Sequence, residues 1–182
     1  MAPDLTDGRL RLSPLSPTNA SAFAEATRAA AESVTGWMTD AFVPTAPEAV
    51  AAFVAVWEHE AEAGTGAGYA VESVADGRVV GFGFLNHVLA RHRFCNLGYW
   101  VRPDAAGQGV ATAATRLLAR DGFERLGLVR IEIVMDPENT ASRRVAEKAG
   151  ATFEGRLRNR LSSGRGVRDA LLFSLVPGDL GL

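Results

Sequence analysis

The chain has 182 residues, enough for one medium-sized domain (1–182) whose core needs no disulfide or structural metal. Its single cysteine, Cys95, excludes an internal disulfide and the cysteine-rich zinc patterns, and the three histidines lack metal-ligand spacing, so no metal is expected. The formal net charge of −2 hides an asymmetry, because residues 1–90 carry −7 and residues 91–182 carry +5.

The N-terminal residues show neither a basic segment nor an apolar core, which argues against a signal peptide. No apolar run approaches the 18 or so residues that a membrane span needs. We therefore expect a soluble cytoplasmic protein without a membrane partner.

The first half of the chain shows two local signals. Thr45 and Glu48 have capping-box spacing with Pro47 between them, which predicts the start of a helix. Asp76-Gly77 is typical of a two-residue hairpin turn. Together with apolar periodicity, these signals predict a strand at Gly8–Ser13, a helix at Asn19–Ala31, a helix from about Pro47 to Glu62, and strands at Tyr69–Val74 and Arg78–Leu85.

The second half predicts a strand–helix–strand unit whose two strands are parallel, joined by a right-handed crossover. The following helix has Asn139 as its N-cap and Gly150 as its stop. The predicted elements are strand Leu97–Val101, a helix from Val110 to about Gly127, strand Val129–Val134, a helix from Asn139 to Lys148, and two strands flanking Ser163–Gly164. This order indicates a mixed α/β sheet.

The turn between Val101 and Val110 predicts an anion site. The N–H groups in the first turn of a helix have no partners and carry a partial positive charge of roughly half a unit. Gly107 and Gly109 allow a ligand to approach this backbone without meeting a Cβ. Because the turn lies in the basic half of the chain, a phosphate or pyrophosphate is the expected ligand.

Three segments in this order resemble the GNAT acetyltransferases, and within them the RimJ/RimL-type acetyltransferases of ribosomal-protein N-termini. They are Gly98-Tyr99-Trp100-Val101-x-Pro103, the Gly107–Thr112 turn, and Asp136–Gly155. The resemblance implies a mixed, mostly antiparallel sheet with helices on both faces and one parallel strand pair splayed around acetyl-CoA. It also implies direct transfer of the acetyl group to a primary amine, either a protein or peptide N-terminus or a small amino compound.

The resemblance also assigns roles to individual residues. Ser142 occupies the position near the cofactor sulfur and is the expected proton donor or hydrogen-bond partner of the thiolate. The pyrophosphate is expected on the backbone of the glycine turn. The implied cofactor contacts are Tyr99, Val101, Gly107, Gln108, Gly109, Val110, Ala111, Thr112, Asn139 and Ser142.

Two positions depart from the family pattern. Ala106 stands where many members have Arg or Gln, so one side-chain contact to phosphate is missing. Asn96 stands where this branch often has a glutamate, and an amide cannot act as a base at neutral pH. Glu132 is the nearest replacement, His87 and Asp169 are weaker candidates, and proton loss through water is an alternative.

Two further classes of function stay open. A CoA-binding or protein-interaction module that lost its base is favoured by Asn96 and Ala106. Nucleic-acid binding through the arginine-rich half is disfavoured, because the pI is below 7 and aromatic residues are not interleaved with the arginines. Pairing of the last two strands in a homodimer is open, since nothing in the sequence requires it.

Overall fold

The computed structural model describes residues 3–163 and 166–182. Within these residues the chain forms eight strands, four α-helices and three short 3-10 helices. In chain order they are β1 (Leu5–Thr6), β2 (Leu10–Pro14), α1 (Ala20–Val34), α2 (Pro47–Ala63), β3 (Ala67–Ser73), β4 (Val79–Leu89), β5 (Phe94–Val101), α3 (Val110–Glu124), β6 (Arg130–Met135), α4 (Thr140–Ala149), β7 (Thr152–Ser163) and β8 (Gly166–Leu175).

All eight strands form one sheet in the order β1-β2-β3-β4-β5-β6-β8-β7. Every neighbouring pair is antiparallel except β5 and β6, which are parallel. Their pairing covers only the start of β5 and ends at Asn96 opposite Glu132. Beyond that point the two strands separate, and the cleft between them is the splayed pair that the family resemblance implies.

The sheet has a hydrophobic core on each face, because its central strands bury side chains in both directions. On one face α3 and α4 cover a core that includes Tyr69, Leu97 and Ile131. On the other face α1 and α2 cover an aromatic core that includes Phe82 and Trp100. The predicted mixed α/β sheet with helices on both faces is thus confirmed.

Gly98 shows how closely the aromatic core approaches the strand that leads to the cleft. A Cβ at this position would lie 2.2 Å from the Phe84 ring, so no larger residue fits without displacing that ring. Phe84 in turn stacks on Phe42, which lies in the connection between α1 and α2. The glycine of the Gly-Tyr motif is therefore required by packing.

Two local predictions are wrong. The N-cap of α2 is Ala46, and no side-chain capping bond forms, so Thr45 and Glu48 make no capping box. Extended backbone at Ala46, followed by Pro47, starts the helix without it. The Asp76-Gly77 hairpin forms, but its loop spans 74–78. The Ser73 N–H donates to the Arg78 carbonyl, and the Val74 N–H donates to the carbonyl of Arg9, the residue before β2.

The remaining differences concern element ends. The two-residue β1 was not predicted, β4 and β5 are longer than expected, and α3 ends at Glu124. Strands β7 and β8 have the predicted places, but Gly164 of the expected turn lies outside the described residues. None of the helices in the described ranges is long and apolar enough to cross a bilayer.

Candidate functional site

A clamp of charged residues fixes the backbone where β5 enters the glycine turn. The buried Arg102 guanidinium donates to both carboxylate oxygens of Asp104, each at 3.0 Å, and to Glu25 of α1 at 3.1 Å. Arg78 donates to the same Asp104 carboxylate at 2.8 Å. The hydrogen bonds from Arg102 and then from Arg78 lower the pKa of Asp104 to about 2, so the carboxylate stays charged at neutral pH.

The glycine turn itself presents an open row of donors. Gly107 and Gly109 have φ values of 76° and 81°, which only glycine adopts readily, and nothing lies within 4 Å of the place a Cβ would take. Helix α3 begins at Val110 with Gly109 as its cap. In residues 3–163 and 166–182, no acceptor pairs with the backbone N–H groups of residues 107–112. The predicted anion cradle therefore has its donors free.

The side chains of this segment stabilise the turn or pack towards the core. Gln108 donates its amide to the Asp104 carbonyl at 3.0 Å, while its own carbonyl accepts from Arg9 at 3.1 Å. Val110 is buried in the core, and Ala111 and Thr112 are half-buried. An anion would thus meet backbone donors here, which agrees with the absence of an arginine at Ala106.

Helix α4 begins on the other side of the cleft. Asn139 is its N-cap, as predicted, and its Oδ1 accepts from the Ser142 N–H at 2.9 Å. The preceding turn is held by the buried Asp136, which accepts from the Glu138 N–H at 2.8 Å and from Arg168 of β8 at 2.6 Å. The helix start that carries Ser142 is therefore fixed from within and from the neighbouring strand.

Two hydroxyl groups meet across the cleft. The Tyr99 hydroxyl of β5 lies 2.9 Å from Ser142 Oγ and 3.3 Å from the Ser142 carbonyl oxygen, and its single proton can be donated to either oxygen. Burial raises the pKa of Tyr99 to about 12, so the phenol is protonated at neutral pH. When Tyr99 donates to Ser142 Oγ, the hydroxyl proton of Ser142 is available to a third partner. Both residues are predicted cofactor contacts, but no signal in the sequence indicates that they touch each other.

Asn96 and Glu132 lie on the opposite face of the sheet from Tyr99. They are register partners at the last paired position of β5 and β6. Asn96 donates to the Asn86 side chain at 2.8 Å, so this position holds an amide pair. Glu132 accepts from Arg130 at 3.1 Å and is about one-quarter exposed, with 23% of its side chain accessible.

Glu132 shares Arg130 with a second carboxylate. Arg130 also forms two hydrogen bonds with Glu154, which accepts from Ser174 at 2.6 Å. The Arg130 hydrogen bonds, followed by the one from Ser174, lower the pKa of Glu154 to about 2. Both carboxylates therefore pair with Arg130, and Glu132 is the one that lies at the last paired position of β5 and β6.

The two weaker base candidates lie outside this arrangement. His87 is an exposed residue with φ 52° in an irregular stretch of β4. Asp169 lies in the part of the β7–β8 hairpin that does not pair with β6, where it accepts from the Asn159 N–H at 3.0 Å and from Arg156 at 2.8 Å. These bonds lower the pKa of Asp169. Its carboxylate therefore anchors the Asn159 backbone and the Arg156 side chain.

Comparisons with known proteins agree with this geometry. A family model described as the acetyltransferase (GNAT) domain matches residues 9–152. "Putative ribosomal N-acetyltransferase YdaF" of Bacillus subtilis is 34% identical over 101 residues, which cover 56% of this chain and 55% of that protein. The spermidine N(1)-acetyltransferase of Escherichia coli K12 is 33% identical over 73 residues, 40% of this chain and 38% of that protein. The chain thus spans about half the length, or less, of these two curated relatives.

A solved structure extends the similarity to the whole fold. Mycobacterium smegmatis RimJ, in complex with CoA-disulfide, superposes with a TM-score of 0.88 at 27% identity, covering 99% of this chain and 88% of that one. The family match covers well over half of the sequence. The chain belongs to the GNAT family of acetyltransferases, whose cofactor is acetyl-CoA.

Proposed function

We propose that this protein transfers the acetyl group of acetyl-CoA to a primary amine, namely the α-amine of a protein or peptide or the amine of a small molecule. The observation that carries the proposal is the cleft between β5 and β6. It has free backbone donors at one end, and a Tyr99–Ser142 hydroxyl pair and Glu132 on its two sides. The cytoplasm is the proposed location, and a homodimer through the final strands is left to measurement.

The residues present fit the cofactor. The open glycine turn can accept a pyrophosphate on its N–H groups, because neither side chains nor backbone occupy the space above Gly107 and Gly109. Beyond Asn96 and Glu132, β5 and β6 no longer bond to each other, so their backbone groups are available to an extended amide-containing arm. When bound, acetyl-CoA supplies the acetyl group as a thioester.

The proposed proton transfers use groups on the two faces of the sheet. Ser142, with its Oγ oriented by Tyr99, donates a proton to the departing thiolate on the α3–α4 face. Glu132 accepts a proton from the amine on the opposite face, where the side-chain oxygen of Asn96 receives no hydrogen bond from the described residues and can accept one from the amine N–H. Attack and departure therefore occur from opposite sides of the splayed strands.

The acceptor class is tested by measuring thiol release from acetyl-CoA over a panel of amines. The panel contains short peptides with free N-termini, the same peptides with formylated N-termini, spermidine and an aminoglycoside. We expect release with at least one free amine and none with the formylated peptides, since a blocked amine has no lone pair for attack. CoA binding without turnover of any amine would contradict the proposal and favour the non-catalytic CoA-binding module.

Substituting Glu132 with glutamine tests the proposed base. We expect kcat/KM at pH 7 to fall about tenfold, because one general base contributes at least that much. The loss should shrink at higher pH, where more of the amine is already deprotonated. Glu154→Gln is the matched control, since it removes the other carboxylate on Arg130 and should leave the pH profile unchanged. Equal profiles for wild type and Glu132→Gln would assign proton loss to water.

A further inference from the structure

A chain of four polar side chains crosses the sheet on the face that carries Glu132. Arg130 and Glu132 are two residues apart on β6 and share this face, and Arg130 Nε donates to Glu132 Oε1 at 3.1 Å. The other two nitrogens of the guanidinium donate to Glu154 of β7, Nη1 to Oε1 at 2.6 Å and Nη2 to Oε2. The buried hydroxyl of Ser174, the register partner of Glu132 on β8, donates to Glu154 Oε1 at 2.6 Å.

Glu154 reaches this chain through a break in strand register. Phe153 pairs with Phe173 and Gly155 pairs with Leu172, so Glu154 is the extra residue of a β-bulge in β7. The Phe153 ring packs on Phe173 of the α3–α4 core, while the Glu154 carboxylate bonds to Arg130 and Ser174. Two parallel N–H···O bonds fix the plane of a guanidinium, so Glu154 orients Arg130.

Glu132 uses only one of its two oxygens in this arrangement. Its Oε1 accepts from Arg130, whereas no donor in residues 3–163 and 166–182 bonds to its Oε2. A half-exposed glutamate without a partner samples several rotamers, and ordering it costs conformational entropy when a substrate binds. The bond from Arg130 therefore orders the side chain in advance and leaves Oε2 unoccupied.

The local charge agrees with a role in the amine site. One guanidinium and two carboxylates leave one negative charge in excess, which favours an incoming ammonium group. We propose that Arg130 is a positioning residue that holds Oε1 of Glu132 and leaves Oε2 to accept the proton of the amine. This role rests on the proposed transfer of acetyl to a primary amine with Glu132 as the base.

Arg130→Met tests this role in kinetics with acetyl-CoA and the amine that the wild type acetylates fastest. We expect kcat/KM at pH 7 to fall about threefold to tenfold, and no further than in Glu132→Gln, because Arg130 acts through Glu132. The loss should shrink at higher pH, as in Glu132→Gln, and the Kd of acetyl-CoA should not change. The double variant should be as fast as Glu132→Gln alone, whereas a residue with only a structural role would give additive losses at every pH.

Two further variants separate position from charge and from stability. Arg156→Met is the matched control, because it removes another arginine–carboxylate pair of β7, with Asp169 at 2.8 Å, and should leave kcat/KM unchanged. Arg130→Lys keeps the charge but lacks the planar fork that bonds to both carboxylates at once, so it should be about as slow as Arg130→Met. Thermal melting shows that each variant is folded at the assay temperature.

The outcomes distinguish this role from the proposed function. Wild-type kcat/KM in Arg130→Met or in Arg130→Lys would overturn the positioning role and leave the proposed acetyl transfer standing. A double variant slower than Glu132→Gln would do the same. Failure of the wild type to release thiol with any amine would contradict the proposed function, and the role of Arg130 with it.

Discussion

Replacing Gly109 with aspartate is expected to weaken acetyl-CoA binding by about 100-fold without unfolding the protein. A carboxylate at the cradle would face the pyrophosphate at a few ångströms, which costs about 3 kcal/mol at a dielectric between those of water and the protein surface. Asp tolerates a positive φ better than most residues, and a negative charge at the start of α3 is favourable. Titration calorimetry gives the Kd, and thermal melting reports stability.

The isosteric Gly109→Asn variant separates charge from steric effects. It adds a similar side chain at the same positive φ, so it should weaken binding far less than Gly109→Asp. Gly64→Asp is a second control, because Gly64 has a φ of 71° and equally open surroundings at the end of α2, far from any donor row. If the Asp and Asn variants at position 109 bound acetyl-CoA equally, the cradle would not hold the pyrophosphate.

Removing the Ser142 hydroxyl is expected to lower kcat about 100-fold while the Kd for acetyl-CoA changes little. Proton donation to the leaving group is needed only as the C–S bond breaks, and general acids contribute about 100-fold or more. Tyr99→Phe should cost about tenfold, because it leaves Ser142 in place but removes the bond that orients it. Steady-state kinetics with a saturating amine measure both effects.

The double variant shows whether the two hydroxyls act as one unit. Ser142→Ala with Tyr99→Phe should be no slower than Ser142→Ala alone, because Tyr99 acts through Ser142. Thr140→Ala, a neighbouring hydroxyl in the first turn of α4, should leave kcat unchanged. Since the pKa of Tyr99 is raised to about 12, ionisation of the phenol should cause no loss of rate below about pH 10. Full activity in Ser142→Ala would assign thiolate protonation to water.

Local signals predicted local structure when nothing distant competed with them. The Asn139 cap and the Gly150 stop of α4 formed as expected, because a cap depends on atoms within three or four residues. The Thr45–Glu48 capping box did not form, although its spacing is equally regular, because Ala46 and Pro47 set the helix start. The Asp76-Gly77 loop is longer than predicted because the Val74 N–H donates to the Arg9 carbonyl, more than 60 residues away in sequence.

The same distinction applies to the site. Gly107 and Gly109 marked the cradle in the sequence, since their positive φ and missing Cβ are properties of the residue type. Arg9 gave no comparable signal, because its partner Gln108 is 99 residues away. Arg116 gave no signal either, because its bonds to the Lys148 and Ala149 carbonyls depend on the packing of α3 against α4.

The sequence by itself determined the order of the main elements, the family, the glycine turn before α3 and the residues that start and stop α4. These follow from apolar periodicity and from backbone preferences that act over a few residues. Only the tertiary structure decided that Tyr99 meets Ser142, 43 residues apart, and that Glu132 lies on the opposite face of the sheet from Tyr99. Contacts of this kind depend on strand register and helix packing, and neither leaves a regular spacing in the sequence.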